Sequence, residues 1–121
     1  MDFGDLLDLT FKDADCYQFG SLLYERFRGY GLPYGGYSLD SKTSVGEFKS
    51  GHDGVFRDVE RSELQALDGI IFTSPTTKYH MGFFIGKGKF IHMTEQSGVC
   101  IDRLDSNEWK HRIVGYKRYG N

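Results

Sequence analysis

Two residue types in this 121-residue chain carry chemistry at suggestive positions: a cysteine near the start, Cys16, and two histidines, His80 and His92. Cys16 follows Asp15, a good helix N-cap, and Phe19, Leu23 and Phe27 continue from it at helical spacing. A thiol in the first turn of a helix faces free backbone N–H groups and the positive end of the helix dipole, both of which favour a thiolate. Asp15 opposes this electrostatically. On its own Cys16 is better read as a small buried hydrophobe on the helix stripe.

His80 and His92 flank the sequence Gly86-Lys87-Gly88, which sits between two apolar runs, Tyr79–Ile85 and Lys89–Thr94. That pattern predicts a β-hairpin with a three-residue loop. Even-numbered residues then face even-numbered residues, so both imidazoles fall on one sheet face, roughly one residue step apart along the strands. A base with an orienting partner is what a Cys/His nucleophilic site needs. Two ordinary strand histidines, or a zinc pair, are the alternatives, and no third ligand stands at suitable spacing.

The elements that must position these groups form one domain spanning residues 1–121. A helix is predicted from about 15 to 28, ended by Gly29 and Gly31, with Gly20 marking a close approach inside it. Residues 30–54 are rich in Gly and Ser and read as an irregular connection, with one helical turn near Ser44–Lys49. Strands are predicted at Phe56–Glu60, Ile70–Thr73, the two arms of the hairpin, Val99–Leu104 and Ile113–Arg118, with a turn or short helix at Ser106–Lys110. Asp68-Gly69 is the turn feeding the strand at Ile70. One helix followed by about five antiparallel strands defines an α+β class.

Composition narrows the function. The chain is 39% hydrophobic and 16% aromatic, which fits a packed globular fold. Its formal net charge is −2 and its fifteen basic residues are scattered, so no nucleic-acid partner is expected, and its apolar runs are too short to span a bilayer, so no membrane partner is expected either. The segment before Cys16 holds five acids and one lysine, lacking the basic start and the apolar stretch of roughly 7–15 residues that a signal peptide needs. A chain beginning here would be made in the cytoplasm and reach an external target by another route. Cys100, between Val99 and Ile101, is read as a buried structural thiol, and His52 and His111 as surface residues. The tyrosines at 17, 24, 30, 34 and 37 suit a groove or a core equally. No metal and no cofactor is expected.

The order of these signals resembles the NlpC/p-sixty family of cell-wall cysteine peptidases. DCYQF at 15–19 and HMGFFIGKGKFIH at 80–92 match its Asp-Cys helix opening and its His-x-Gly strand, Gly turn and second polar residue. SELQALDGIIF, with Asp68 at the acidic position, looks like the family's strand entry, and GVCIDRL and RIVGYKRY resemble its last strands. The resemblance spans roughly residues 13–119. It implies a papain-like core with Cys16 as nucleophile, His80 as base and His92 as its orienting partner. It also implies the Cys16 backbone N–H as oxyanion donor, with Gln18 a second one. The implied substrate is a peptidoglycan stem peptide, cut at the D-γ-glutamyl–diamino acid amide.

The Asp-Cys-Tyr form and the GYGLPYGGY stretch at 29–37 look most like the subset found in phage tail-tip assembly proteins, which implies a virion location and other tail proteins as partners. Residues 1–15 hold no tyrosine, where the family usually places one to help hold the oxyanion. A non-catalytic structural module of a phage tail and a delivered effector amidase of the same fold stay open as alternatives.

Overall fold

The computed structural model describes residues 1–32, 56–74 and 79–119. The helical turn expected near Ser44–Lys49, His52, Tyr34 and Tyr37 lie outside the described residues. Helix α1 runs Cys16–Arg28 and starts where the sequence predicts, because Asp15 and Gln18 cap it reciprocally. The Gln18 N–H donates to Asp15 Oδ1 at 2.8 Å and the Asp15 N–H donates to Gln18 Oε1 at 3.0 Å. Gly29, at φ 82°, closes the other end in the left-handed conformation, with its N–H on the Glu25 carbonyl.

Six strands form one antiparallel sheet: β1 (Phe56–Asp58), β2 (Gly69–Thr73), β3 (Tyr79–Gly86), β4 (Lys89–Thr94), β5 (Gly98–Arg103) and β6 (Ile113–Tyr119), in the spatial order β1-β6-β2-β3-β4-β5. That is one more than the approximate count expected. The short strand expected at Phe56–Glu60 forms as the three-residue β1, which pairs only with the end of β6. The segment between β5 and β6 is a run of turns.

The hairpin differs from its prediction in an instructive way. Strand β3 extends through Gly86 and β4 begins at Lys89, so the connection is two residues, not three. Lys87 and Gly88 both have positive φ, 53° and 72°, as a type I′ turn requires. An irregularity between Phe84 and Gly86 absorbs the odd residue, so Phe83 still faces Ile91 and Phe84 still faces Phe90. Even-to-even parity survives. Continued along the strands, this register sets His92 opposite Gly82 and leaves His80 two residues away, a diagonal neighbour and not the single step expected.

Alternation along the strands divides the interior into two cores. On one face Ile71, Met81, Phe83, Ile91 and Met93 pack with Cys16, Phe19 and Leu23 of α1. On the other, Ile70, Phe72 and Phe90 pack with Leu104 and Trp109 from the β5–β6 connection. Tyr17 and Tyr24 belong to the first core, whereas Tyr30 is exposed. Asp68 anchors the entry to β2: its two carboxylate oxygens accept from Arg118 Nε and Nη2 at 2.9 and 2.8 Å. The Tyr24 hydroxyl donates to the neighbouring Leu67 carbonyl at 2.7 Å, tying the helix to the same corner.

Gly20 is where α1 approaches β3 most closely, since a Cβ placed there would lie 2.0 Å from Phe83 Cζ. In an open helix Gly→Ala would gain about 1 kcal/mol. Here the Phe83 ring must be displaced from a packed core, so Gly20→Ala should lose about 1–3 kcal/mol in denaturant unfolding, the opposite sign. A stabilised variant would show that the ring is not held against the helix.

Candidate active site

The diagonal pair is joined. His80 Nε2 lies 2.7 Å from His92 Nδ1, and His92 Nε2 lies 2.7 Å from Asp102 Oδ2 on β5. Phe90 faces Asp102 and His92 faces Cys100 in the β4–β5 register, so Asp102 stands diagonally from His92 just as His92 stands from His80. The three polar groups therefore cross three strands on one sheet face. Gly82 makes the first diagonal passable. A Cβ on it would come within 2.6 Å of the Phe90 ring and 3.3 Å of His92 Cβ.

Donor and acceptor roles follow from the far end. An ionised carboxylate only accepts, so His92 Nε2 carries the proton it donates to Asp102. A neutral His92 must then accept at Nδ1, which requires the proton of His80 at Nε2. His80 Nδ1 is left as the lone pair. Asp102 is thus the site residue that sequence reasoning missed. It lies within GVCIDRL, two residues beyond Cys100, and only the register of β4 on β5 reveals its partner.

Trp109 was missed as well. Its indole stacks on His80, with centroids 5.4 Å apart and planes at 28°, and meets His92 edge-on at 4.9 Å. Together with Phe72 and Phe90 it shields His92 from water completely and His80 in part, the latter keeping one side on the cleft. Burial first, then the His92 ring and the Arg112 guanidinium, push the His80 pKa down to about 3. Burial also lowers His92, against the raising influence of its bond to Asp102.

Cys16 is completely buried. Its thiol is set against the Met81 backbone, one residue beyond His80, and among the described residues it has no hydrogen bond to His80. The helix N-terminus was expected to depress the thiol pKa. Instead, burial pushes it up, with the Met81 backbone contact lowering it and the Asp15 charge raising it further. Sulfur and imidazole are therefore both neutral at rest. Gln18, expected as a second oxyanion donor, is engaged in the helix cap through its backbone N–H and its side-chain oxygen, which leaves only its Nε2 hydrogens for another partner.

A cleft of about 650 Å³ opens beside His80. Its walls include Phe11 from the N-terminal segment, Asp102, Trp109 and Arg112. Cys100 also lines it and is only partly buried, so the reading of that residue as a buried structural thiol is corrected: its strand edges the cleft and lends only Val99 to the margin of a core. His111 is exposed, as expected. Among the described residues no cluster of three metal-ligating side chains exists.

Comparison with known proteins matches the NlpC/P60 family model to residues 5–118. Escherichia coli murein DD-endopeptidase MepS/murein LD-carboxypeptidase is 29% identical over 109 residues, covering 90% of this chain and 51% of that protein. The probable peptidoglycan endopeptidase LytE of Bacillus subtilis is 32% identical over 85 residues, covering 69% of this chain and 25% of its own length. This chain thus spans about half, or less, of these curated relatives. An NlpC/P60 family protein from Bacillus cereus superposes with a TM-score of 0.63 at 23% identity, over 88% of this chain and 32% of that one. A Staphylococcus aureus lipoprotein-like protein of the NLP/P60 family gives 0.62 at 21%, with the same shares covered. At such identity these two structures speak for the fold.

The depressed His80 pKa has a thermodynamic consequence. An unfolded imidazole titrates near 6.5 and the folded one at about 3, so between these values the unfolded chain binds the extra proton. The stability held by neutral His80 is complete above pH 6.5 and is lost as pH falls toward 3. Urea unfolding at pH 7, 5 and 4 should show a progressive loss that His80→Gln makes shallower. An identical slope in that variant would show that His80 does not titrate with unfolding.

Proposed function

This chain belongs to the NlpC/P60 family, and on that premise we propose that it is a cysteine peptidase that hydrolyses an amide of the peptidoglycan stem peptide, at the D-γ-glutamyl–diamino acid bond. The observation that carries this reading is the chain of hydrogen bonds from Asp102 through His92 to His80, which leaves one lone pair, on His80 Nδ1, at the strand position next to the Cys16 thiol. Relatives named as peptidoglycan endopeptidases support the substrate class.

In this mechanism His80 Nδ1 takes the Cys16 proton as the sulfur attacks the carbonyl carbon. The neutral resting pair becomes thiolate and imidazolium only along the reaction. His92, held by Asp102, stabilises the imidazolium through the Nε2 bond. The Cys16 backbone N–H, at the start of α1, donates to the developing oxyanion, with the remaining hydrogens of Gln18 the second source. The imidazolium then returns its proton to the leaving amine, and water, deprotonated by His80, resolves the thioester to a carboxylate and free thiol. No metal or cofactor takes part in these steps.

The setting we propose is the tail tip of a phage particle, with other tail proteins as partners and the host wall as target. The Asp15-Cys16-Tyr17 sequence and the 29–37 stretch support it. A second reading, a structural module of such a tail without turnover, has one observation in its favour: the thiol is buried and makes no hydrogen bond to His80.

Purified muropeptides separate the two. Mass spectrometry of the digest should show cleavage after the γ-linked D-glutamate, and Cys16→Ala should reduce the rate by about 10³-fold or more while the fold persists. Release of terminal D-alanine or scission of D,D cross-links would move the bond assignment, and no product at all would favour the structural module. Asp102→Asn should lower kcat by about 10–100-fold with little change in KM, since it permits the wrong His92 tautomer. Unaltered kcat would remove Asp102 from the relay.

A further inference from the structure

Among the described residues Arg112 is the only side chain lining the cleft that carries a fixed positive charge, and it has no carboxylate partner among them. Arg26, Arg103 and Arg118 each hold an aspartate, and Arg28 donates to the Ala66 carbonyl away from the cleft. Its backbone is pinned on both sides, the N–H donating to the Trp109 carbonyl at 2.9 Å and the carbonyl accepting from the Thr73 N–H at 2.8 Å. The guanidinium carbon sits 5.1 Å from the centre of the Trp109 ring, the same indole that stacks on His80. A planar fork of donors is therefore placed beside the base, with no acceptor of its own among the described residues.

The geometry points to Arg112 as the anchor for a free carboxylate of the substrate, set beside the scissile amide. The inference rests on the peptidase reading above and deepens it. A γ-glutamyl linkage leaves the α-carboxylate of the D-glutamyl residue uncombined, separated from the scissile carbonyl only by the α-carbon and the side-chain methylenes. That group matches a guanidinium in charge and in bidentate geometry. Glu95 and Glu108, also in the cleft wall, oppose an isolated anion but suit a peptide that carries amines as well.

The arrangement also couples binding to catalysis. An uncompensated guanidinium near His80 disfavours the imidazolium that the reaction requires. A carboxylate bound on Arg112 offsets that charge, so the base gains proton affinity when the substrate is seated. An acyl group lacking the carboxylate would leave His80 reluctant to take the thiol proton.

The test is calorimetric titration of the Cys16→Ala protein with two synthetic peptides, L-alanyl-γ-D-glutamyl-diamino acid and its D-glutamyl α-carboxamide. The carboxylate form should bind roughly 10–100-fold tighter, as expected for a charge-assisted pair. Adding Arg112→Gln should erase that preference, and Arg112→Lys should keep part of it. Equal affinity for the two peptides overturns the proposal without reliance on any Arg112 variant, as does a preference that survives Arg112→Gln or an absence of binding by both peptides. Turnover by the chain with Cys16 intact is measured in parallel. A binding preference without cleavage would sink the peptidase reading and leave the anchor standing.

Discussion

A carboxylate can only accept hydrogen bonds, and that restriction, imposed at Asp102, orders every polar group on its face of the sheet. It fixes the proton of His92, and His92 in turn fixes the proton of His80. The direction of the relay is thereby set by one residue far from the sulfur. It holds only while three neighbouring strands keep their registers. A slip of one residue in β3, β4 or β5 would turn a member of the relay to the opposite face. The type I′ turn and the irregularity before Gly86 are what guard that parity.

Burial sets the resting charge state. Trp109, Phe72 and Phe90 surround the imidazoles, and α1 seals the thiol against β3. Desolvation penalises the charged forms of a thiol and an imidazole alike, and here it outweighs the helix N-terminus. A preformed ion pair is thus replaced by two neutral groups, whose charges appear together only in the proposed reaction. Substrate groups that enter the cleft then become part of the electrostatics of the step.

Much of this was legible in the residues. Asp15 announced the helix start as an N-cap, though the answering role of Gln18 in the cap was not read, and the Gly-Lys-Gly turn announced which strand faces carry His80 and His92. Local chemistry of that kind is written in adjacent residues. Asp102 was not readable, because its role depends on pairing between β4 and β5 and its own neighbours suggest only a strand. Trp109 was hidden for a similar reason: it lies in a run of turns whose return onto the sheet has no sequence period. Cys100 was misjudged because flanking Val99 and Ile101 imply burial, whereas the strand they share forms the cleft edge.

The two cores on opposite faces of the sheet have a mechanical meaning. The sulfur is seated by the helix-side core, whereas the imidazoles are seated by the smaller core beneath Trp109. The Cys16 thiol and the His80 imidazole are thus mounted on separate supports, α1 and β3, and come together at the start of β3. Any relaxation of one support relative to the other is felt as a change in a single sulfur-to-nitrogen spacing. In the mechanism proposed above, substitutions in either core, however remote from the cleft, tune the reaction rate without altering any reacting group. The sheet acts as a gauge between two independently adjustable mounts.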